Sequence, residues 1–597
     1  MNNDPEDFGS QTNRERPLIG LARLVFIVVI GPVAVWWIIN NLPSRAGNSP
    51  PTPGSTNTVQ ATLPPNAVEI TLVSANTKED WIEAVTASFN DQQFKTTSGK
   101  SIVVRVSHGN SGGSQADILS GEVQPTMWSP GDQSWIDGAN DEWRLLHNET
   151  LITGACAPTV YAPIGFGMWR PMAEALGWPD DPISWETLVA LAADPQGWGR
   201  YGHPEWGQFK FGHTHPDYSN SGMLMLTALA YDTLGITTGL TPELVKSEPV
   251  VAAMRDVELH TFHYGRQSRN LATLMAQRGA DYLQAINVTE AELLRINREY
   301  ADQMQFPLVF IFPANGAFWT EQPLCILDGD WVTAEQQEAA RLYRDYLLAP
   351  EQQTLAVDHF LRPVMTGIPL REPFSLENGT DPSITPDTVV ALSSPSAAAA
   401  EAVQDVFHQT KKKATVIVVL DTSGSMRGEK IKNATAATAS FVMRLEQDDE
   451  VLVYAFEDDI SLLQQSGSAG EVKEELAETI TNLFAGGDTR LYDAVCMAVE
   501  QADAFRALNQ GAGEQRLYGV VVLSDGQDTK SRITESDMFN CLPTGEDVDG
   551  IKVFTIAYGN DADHTVLQKI ANKTNGRMFD GGPDTIEDVY VSISAEQ

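Results

Sequence analysis

Two long stretches of the chain alternate between apolar strand patterns and amphipathic helix patterns. In the first, VEITLVSAN from Val68 predicts a strand that ends in a polar loop, and SIVVRVSHGNSGG predicts a second strand with a Gly/Ser loop. KEDWIEAVTASFND lies between them and predicts an amphipathic helix. Its apolar face holds Trp81, Ala84, Val85 and Phe89. Strand, polar loop and helix in repetition, continuing to about residue 372, predict an α/β sheet.

The second alternating stretch begins at Ala414. Strands are predicted at TVIVVLD, VLVYAFE, GVVVLSD and KVFTIAYG, with helices between them. These strands are continuously apolar, which is typical of a parallel sheet buried on both faces. The stretch therefore predicts a second α/β domain.

The length of 597 residues exceeds what one hydrophobic core supports, since chains split into domains beyond about 250–300 residues. Patterning and composition predict six segments. They are a cytoplasmic tail (1–17), a transmembrane anchor (18–40), a Pro/Ser/Thr/Gly-rich linker (41–65), a first domain (66–373), a linker and helix (374–410) and a second domain (411–597).

One segment near the N-terminus has the character of a membrane span. The uncharged run LVFIVVIGPVAVWWII, with the apolar residues before it, approaches the roughly 20 residues that cross a bilayer. Three arginines precede the run and only Arg45 follows closely, so the N-terminus is expected in the cytoplasm. A signal peptide cleaved near Ser44–Ala46 stays open as the alternative. Both interpretations export the rest of the chain, to the outer face of a cell membrane.

The net charge of the chain limits the classes of partner that are expected. The formal net charge is -39, and binding of nucleic acid needs basic stripes, so nucleic acid is not expected as a partner. An acidic chain suits sites for cations, and acidity that only keeps the protein soluble is the alternative.

Four cysteines fall two in each predicted domain. Disulfides persist outside the cytosol, and pairing within domains, Cys156 with Cys325 and Cys496 with Cys541, is the economical hypothesis. Four cysteines allow three pairings, so the connectivity stays open at this point.

Oxygen-bearing side chains follow three elements of the second domain. Asp421 ends a predicted strand, and Ser423 and Ser425 come next in a Gly-containing loop. Thr489 lies in FAGGDTRLYDAV just before a helix, and Asp525 ends the strand VVVLSD. Ligands of open α/β sheets bind beyond the carboxyl ends of the strands, so these side chains are expected at one edge. Oxygen ligands suit Mg²⁺, with Ca²⁺ or Mn²⁺ as alternatives, rather than zinc.

These residues carry a resemblance. Asp421-x-Ser423-x-Ser425, Thr489 in GGDTRLYDA and Asp525 in LSDG resemble the von Willebrand factor type A domain, over roughly 411–597. All five positions of that family's metal-ion-dependent adhesion site are present. The resemblance implies a Rossmann-like fold in which the two serines and the threonine ligate Mg²⁺ or position its waters. The two aspartates would supply negative charge, and a carboxylate from a partner protein would complete the coordination.

The first domain offers polar loops that lead into helices. Helix starts present unsatisfied N–H groups and a positive dipole end, so several together can hold an anion or a polar solute. For each loop taken alone, ordinary helix capping is the alternative. The loops are SANTKED, GNSGGS, WSPGD and HPDYSNSGM.

The order of elements in the first domain resembles a bacterial extracellular solute-binding protein of the two-lobed periplasmic type. The stretches GFGMWRPMAEALGWPDDPISWETLVALAAD, FKFGHTHPDYSNSGMLMLTAL and PLVFIFPANGAFWTEQPLCIL carry it, with AARLYRDYLLAPEQQTLAVDHFLRP. The resemblance implies that a solute lies in a cleft between lobes. By position in that family, the candidate ligand-binding residues that would face the cleft are Asn76, Thr77, Ser111, Ser129, Ser219, Asn220 and Ser221. It also favours Cys156 pairing with Cys325 near the lobe-connecting hinge.

No enzyme is expected, because the Asp421 loop lacks a G-x-S-x-G elbow and a nearby histidine, and the chain lacks a GxxxxGK[ST] phosphate loop. The sequence predicts a membrane-anchored extracytoplasmic binding protein. Its second domain would bind a protein ligand with Mg²⁺, its first a small solute, and hinge closure is hypothesised to couple them. The alternatives are a receptor that docks on an ABC transporter through the second domain, a metal-dependent hydrolase, and a scaffold with an empty cleft.

Overall fold

The computed structural model describes residues 66–464, 467–544, 550–559, 561–582, 585–586, 589–590 and 593. The predicted tail, anchor and linker (1–65) lie outside the described residues. Among the helices in the described part, none is both long enough and apolar enough to cross a membrane.

Elements are numbered in chain order over these residues. The strands are β1 (Ala67–Ala75), β2 (Ser101–Gly109), β3 (Met127–Ser129), β4 (Val160–Trp169), β5 (Phe211–Thr214), β6 (Thr261–Gly265), β7 (Ala285–Thr289), β8 (Leu308–Ile311), β9 (Phe318–Thr320), β10 (Cys325–Ile326), β11 (Arg362–Pro363), β12 (Lys413–Asp421), β13 (Glu450–Phe456), β14 (Ile460–Leu462), β15 (Gly467–Ser468), β16 (Arg516–Ser524), β17 (Ile551–Tyr558) and β18 (Met578–Gly581). The helices are α1 (Glu79–Asp91), α2 (Ser111–Ser120), α3 (Gln133–His147), α4 (Arg170–Ala175), α5 (Trp185–Ala193), α6 (Asn220–Leu234), α7 (Pro242–Val245), α8 (Glu248–His260), α9 (Ser268–Arg278), α10 (Glu290–Glu299), α11 (Ala334–Leu347), α12 (Pro350–Asp358), α13 (Ala397–Thr410), α14 (Glu429–Arg444), α15 (Ala469–Thr481), α16 (Leu491–Gly511), α17 (Glu535–Cys541) and α18 (His564–Lys573).

The first domain contains two sheets. One has the order β10-β3-β1-β2, in which β1, β2 and β3 run parallel and β10 is antiparallel. The other has the order β11-β4-β7-β5-β6, with β8 and β9 also paired to β4. Helix α1 buries Trp81, Val85 and Phe89 against the first sheet, at the helical spacing that the sequence shows.

The second domain has one sheet of order β14-β13-β12-β16-β17-β18, with β15 on β13. Strands β12, β13, β16, β17 and β18 are parallel. Along β12, Val416, Val418 and Leu420 enter one apolar cluster, while Ile417 and Val419 enter another. Both faces of the sheet are therefore buried, as the continuous apolar strands predict.

Disulfides join Cys156 to Cys325 and Cys496 to Cys541, one within each domain. The first links the segment before β4 to β10, and the second links α16 to α17. Of the three pairings that four cysteines allow, the structure has the one within domains.

Helix α13 is part of the first domain's core. Ala399, Ala402, Val403, Val406 and Phe407 are buried in the same apolar cluster as residues of α3, α6 and α8. The segment 374–410, predicted as a linker and a helix, thus continues the packing of the first domain. Only two residues separate the end of α13 from the start of β12, the central strand of the second domain.

Phe407 provides a test of this packing. Its ring is fully buried, and its centroid lies 4.8 Å from that of His215 and 6.0 Å from that of Tyr264. We expect Phe407→Ala to lower the free energy of unfolding of the first domain by about 3–5 kcal/mol, because a large cavity is left.

Urea unfolding measures this change. Leu508→Ala is the matched control, since Leu508 is 67% exposed on α16 and its loss should cost no more than about 0.5 kcal/mol. Equal unfolding curves for the two variants would contradict the packing of α13.

Candidate functional site

Three loops at the carboxyl edge of the second-domain sheet bring oxygen side chains together. We call Asp421, Ser423, Ser425, Thr489 and Asp525 the oxygen cluster. Asp421 is the last residue of β12, and Asp525 directly follows β16. Since β12 and β16 are parallel neighbours in register, both carboxylates reach the same edge.

Backbone hydrogen bonds attach the third loop. Gly424 N donates to Gly487 O at 3.0 Å, and Gly486 N donates to Thr422 O at 2.8 Å. Thr489 is fixed from the other side, because its N–H donates to Thr529 Oγ1 at 2.9 Å. The loop before α16 is thereby held against the loop after β12.

The side chains of the oxygen cluster lie within hydrogen-bonding distance of one another. Ser423 Oγ and Ser425 Oγ are 3.0 Å apart, and Ser425 Oγ donates to Asp525 Oδ1 at 2.6 Å. A side-chain carbon at Gly526 would lie 3.6 Å from Ser425 Oγ and 4.0 Å from Thr489 Oγ1, so these two hydroxyls border the same small space. The structure brings together all five residues that the sequence singled out.

Hydrogen bonds orient the two buried aspartates. Asp421 accepts from Ser423 N at 2.8 Å and from Ser524 Oγ at 2.6 Å. Burial raises the pKa of Asp421 to about 6, with a smaller contribution from the charge of Asp525. Lys430 Nζ lies 2.6 Å from Asp525 Oδ2.

The donor set fits a divalent cation. Two buried carboxylates face one lysine, so the site keeps a net negative charge when both aspartates are ionised, and three hydroxyls add neutral oxygen ligands. Ser425 is exposed and opens the cluster to solvent. Over the described residues no group of three or more His, Cys, Asp and Glu side chains could hold a metal. A metal site here therefore depends on the serine and threonine oxygens.

The first domain contains a cleft at the carboxyl ends of strands from both of its sheets. Six of the seven predicted residues line it: Asn76, Thr77, Ser111, Ser219, Asn220 and Ser221. Ser129 does not, because it is fully buried behind the wall and its Oγ donates to Pro323 O at 2.8 Å. Helices α2, α6, α9 and α10 begin at or next to cleft residues, so four positive helix ends point there.

Sequence reasoning missed the charged residues of the cleft. Arg269 and Glu292 both line it, and Arg269 Nη1 lies 2.8 Å from Glu79 Oε2, across to the α1 side. Arg295 adds contacts to Glu292 at 3.0 Å and to Asp80 at 3.1 Å. These ion pairs join α1, which packs on the first sheet, to α9 and α10, which belong with the second.

Lys78 is a buried cation beside the cleft. Its Nζ donates to Ser129 O at 2.9 Å and to Gln322 Oε1 at 3.1 Å, and Gln322 lines the cleft. Burial without a carboxylate partner lowers the pKa of Lys78 to about 7. Lys78 thus holds Gln322 in place at the floor of the cleft.

The two domains meet at a junction built around α13. His408 Nε2 lies 2.9 Å from Asp217 Oδ2 in the loop that leads to the cleft residues of α6, and its Nδ1 lies 2.8 Å from Glu446 Oε1 of the second domain. Lys552 Nζ donates to Phe262 O at 2.5 Å. These contacts link the cleft side of the first domain to the amino ends of strands in the second.

Charge at the junction makes a pH-dependent contribution to stability. Hydrogen bonds to Asp217 and Glu446 raise the pKa of His408 to about 9. A raised pKa means that the contribution is complete below pH 6.5 and is lost as the pH rises through 9. We expect wild type to exceed His408→Gln in thermal stability at pH 6, with the difference shrinking by pH 10.

Thermal unfolding of both proteins between pH 6 and pH 10 checks this expectation. His260→Gln is a suitable control, because His260 is half-buried at the end of α8 and its Nδ1 lies 2.7 Å from a backbone carbonyl, that of Asp256. A wild-type advantage that does not vary with pH would contradict the assigned charge of His408.

Comparison with protein families gives one match in each domain. Residues 70–362 match the family model described as bacterial extracellular solute-binding protein, and residues 415–585 match the von Willebrand factor type A domain. The two domains occur in the order that the sequence predicts.

Relatives with curated sequences match less than a third of the chain. The chain is 27% identical over 186 residues to inter-alpha-trypsin inhibitor heavy chain H4 of Sus scrofa, covering 30% of this chain and 20% of that protein. It is 25% identical over 173 residues to the uncharacterized protein sll0103 of Synechocystis, covering 29% of this chain and 38% of that protein. The match therefore spans between a fifth and two fifths of the length of these relatives.

Solved structures resemble each domain. The periplasmic binding protein AfuA from Actinobacillus pleuropneumoniae is 12% identical with a TM-score of 0.40, covering 57% of this chain and 97% of that one. A von Willebrand factor type A structure from Catenulispora acidiphila is 20% identical with a TM-score of 0.27, covering 31% and 43%.

Proposed function

Since a solute-binding domain is followed by a von Willebrand factor type A domain, we propose that this chain is an extracytoplasmic binding protein that recognises two ligands. The type A domain binds a protein ligand through Mg²⁺, and the first domain binds a small solute in its cleft. The predicted segment at 18–40 anchors the chain to the cell membrane. Two disulfides suit an oxidising compartment outside the cytosol.

One observation supports the metal-dependent part of this proposal. Five side chains with oxygen atoms, from three loops, meet at one edge of the sheet. Ser423, Ser425 and Thr489 would hold Mg²⁺ directly, while Asp421 and Asp525 would balance its charge. The bound cation would supply a Lewis acid for a carboxylate of the partner protein. Ser425 is the exposed member, so the partner approaches from its side.

The cleft supports the second part of the proposal. Its polar lining comes from both sheets, and four helices begin at or next to its residues with their positive dipole ends. The ion pair of Arg269 with Glu79 joins the two sides, so a bound solute would favour the closed arrangement. The mechanism is binding, without chemistry on the solute.

The junction offers a route for coupling. Asp217 lies two residues before Ser219 of the cleft, and His408 connects it to Glu446 of the type A domain. We expect closure of the cleft to alter the position of α13 and, through it, of β12. Equal affinity for a carboxylate peptide with and without the cleft solute would contradict this coupling.

Calorimetric titration of Mg²⁺ into the metal-free full chain tests the metal site. Ser425→Ala should weaken Mg²⁺ binding about tenfold or more, because it removes a ligand and the hydrogen bond to Asp525. Ser461→Ala is the matched control on the exposed strand β14. Equal Mg²⁺ affinity for wild type and Ser425→Ala would contradict the assignment of the site.

Native mass spectrometry of the gently purified chain tests the cleft. An added mass beyond the metal, lost on denaturation, is expected for wild type and absent in Arg269→Ala. Arg144→Ala, which alters an exposed arginine of α3, should keep that mass. A wild-type chain that carries only metal would contradict solute binding under these conditions.

A further inference from the structure

A groove adjoins the oxygen cluster on the surface of the type A domain. One wall is the start of α14 with the residues before it, including Arg427 and Ile431. The other wall is the segment after α15, with Leu483, Phe484 and Ala485. Its volume is about 470 Å³, and most of its lining is apolar.

Phe484 stands out among the exposed apolar side chains. It is 88% exposed, although burial of an aromatic ring of this size is strongly favourable. Leu483 and Ile431 extend the apolar surface into the groove, while Arg427 borders it. Aromatic residues and arginine are the types that contribute most to protein interfaces.

Arg427 adds a positive charge at the border of the groove. Arg427 is exposed and its Nε donates to Ala485 O at 3.5 Å, but over the described residues no carboxylate lies within ion-pair distance of it. In a chain of net charge -39, a guanidinium without an acidic partner is available to one from outside.

The groove is continuous with the oxygen cluster. Arg427 follows Ser425 by two residues, and the segment after Phe484 is the one that hydrogen-bonds to the loop after β12, through Gly486 N and Thr422 O at 2.8 Å. A ligand whose carboxylate binds at the oxygen cluster therefore places the residues next to that carboxylate against Phe484.

Contacts of the first domain reach the amino ends of strands in the second domain. Lys412 Nζ donates to Thr261 O at 3.4 Å, and Lys552 Nζ donates to Phe262 O. The oxygen cluster and the groove lie at the carboxyl ends of β12 and β16, at the opposite edge of the sheet. A partner can thus approach both at once.

We propose that the groove binds a segment of the partner protein that carries a large apolar side chain a few residues from the carboxylate bound at the oxygen cluster. Phe484 and Leu483 receive the apolar side chain, and Arg427 pairs with a further acidic residue of the segment. This inference rests on the proposed metal-dependent function and adds the chemistry of the partner: an acidic segment with an apolar anchor.

The test uses a library of eight-residue peptides with one fixed Asp and random residues elsewhere, selected on the immobilised full chain in Mg²⁺. We expect large apolar residues to be enriched near the Asp. The affinity of the best peptide should fall about tenfold or more in Phe484→Ala, the loss typical of a hot-spot residue. It should be unchanged in Leu508→Ala, the matched exposed apolar control on α16.

A second variant tests the charge. Arg427→Glu should weaken peptides with a second acidic residue more than their neutral counterparts, and Lys569→Glu, on α18, is the control of equal charge change. Circular dichroism spectra that match wild type show that the variants fold.

The outcomes separate the groove from the metal site. Binding that needs Mg²⁺ and Ser425 but is unchanged in Phe484→Ala overturns the groove and leaves the proposed function standing. Binding indifferent to Mg²⁺ overturns the proposed function and the two-point recognition with it. A third outcome is that sedimentation shows self-association of the wild-type chain but not of Phe484→Ala. That result would assign the groove to a second copy of the chain and would also overturn the proposal.

Discussion

The burial of α13 against the first domain determines how the rest of the chain is arranged. Its apolar face fills the core beside α3, α6 and α8, and two residues later the chain enters β12. β12 is the central strand of the second sheet and ends at Asp421. The position of the oxygen cluster thus depends, through one helix and one strand, on packing in the solute-binding domain.

The direction of the parallel strands determines which edge of the second sheet lies next to the first domain. Over the described residues, Lys412 and Lys552 contact the first domain at the amino ends of the second sheet, while the oxygen cluster lies at the carboxyl ends. Two buried carboxylates meet there with one lysine, an arrangement in which an additional cation lowers the electrostatic cost. The same rule places the cleft at the carboxyl ends of strands in the first domain. One topological principle therefore accounts for both candidate sites.

Much of each site could be predicted from sequence because its residues follow strands directly. Asp421 and Asp525 end apolar runs, and six of the seven polar candidates, in loops or at helix starts after strands, line the cleft. Arg269 and Glu292 could not be found this way, since their ion pairs join segments far apart in sequence. Like the other candidates, Ser129 is a polar residue at or after the end of a strand, but it is buried behind the residues that line the cleft. The pattern predicts the helix at 397–410, but the apolar face of a helix does not show which part of the protein it packs against.

The central claim is that the two domains form one body through α13. Spin labels on cysteines introduced at Leu145 of α3 and Leu508 of α16 allow the distance between the domains to be measured by electron–electron double resonance. Both side chains are exposed, at 87% and 67%, so labels should not disturb the packing. We predict a single narrow distance distribution, which broadens in Phe407→Ala. A broad distribution in the otherwise wild-type chain would show that α13 is a flexible linker and would contradict the account.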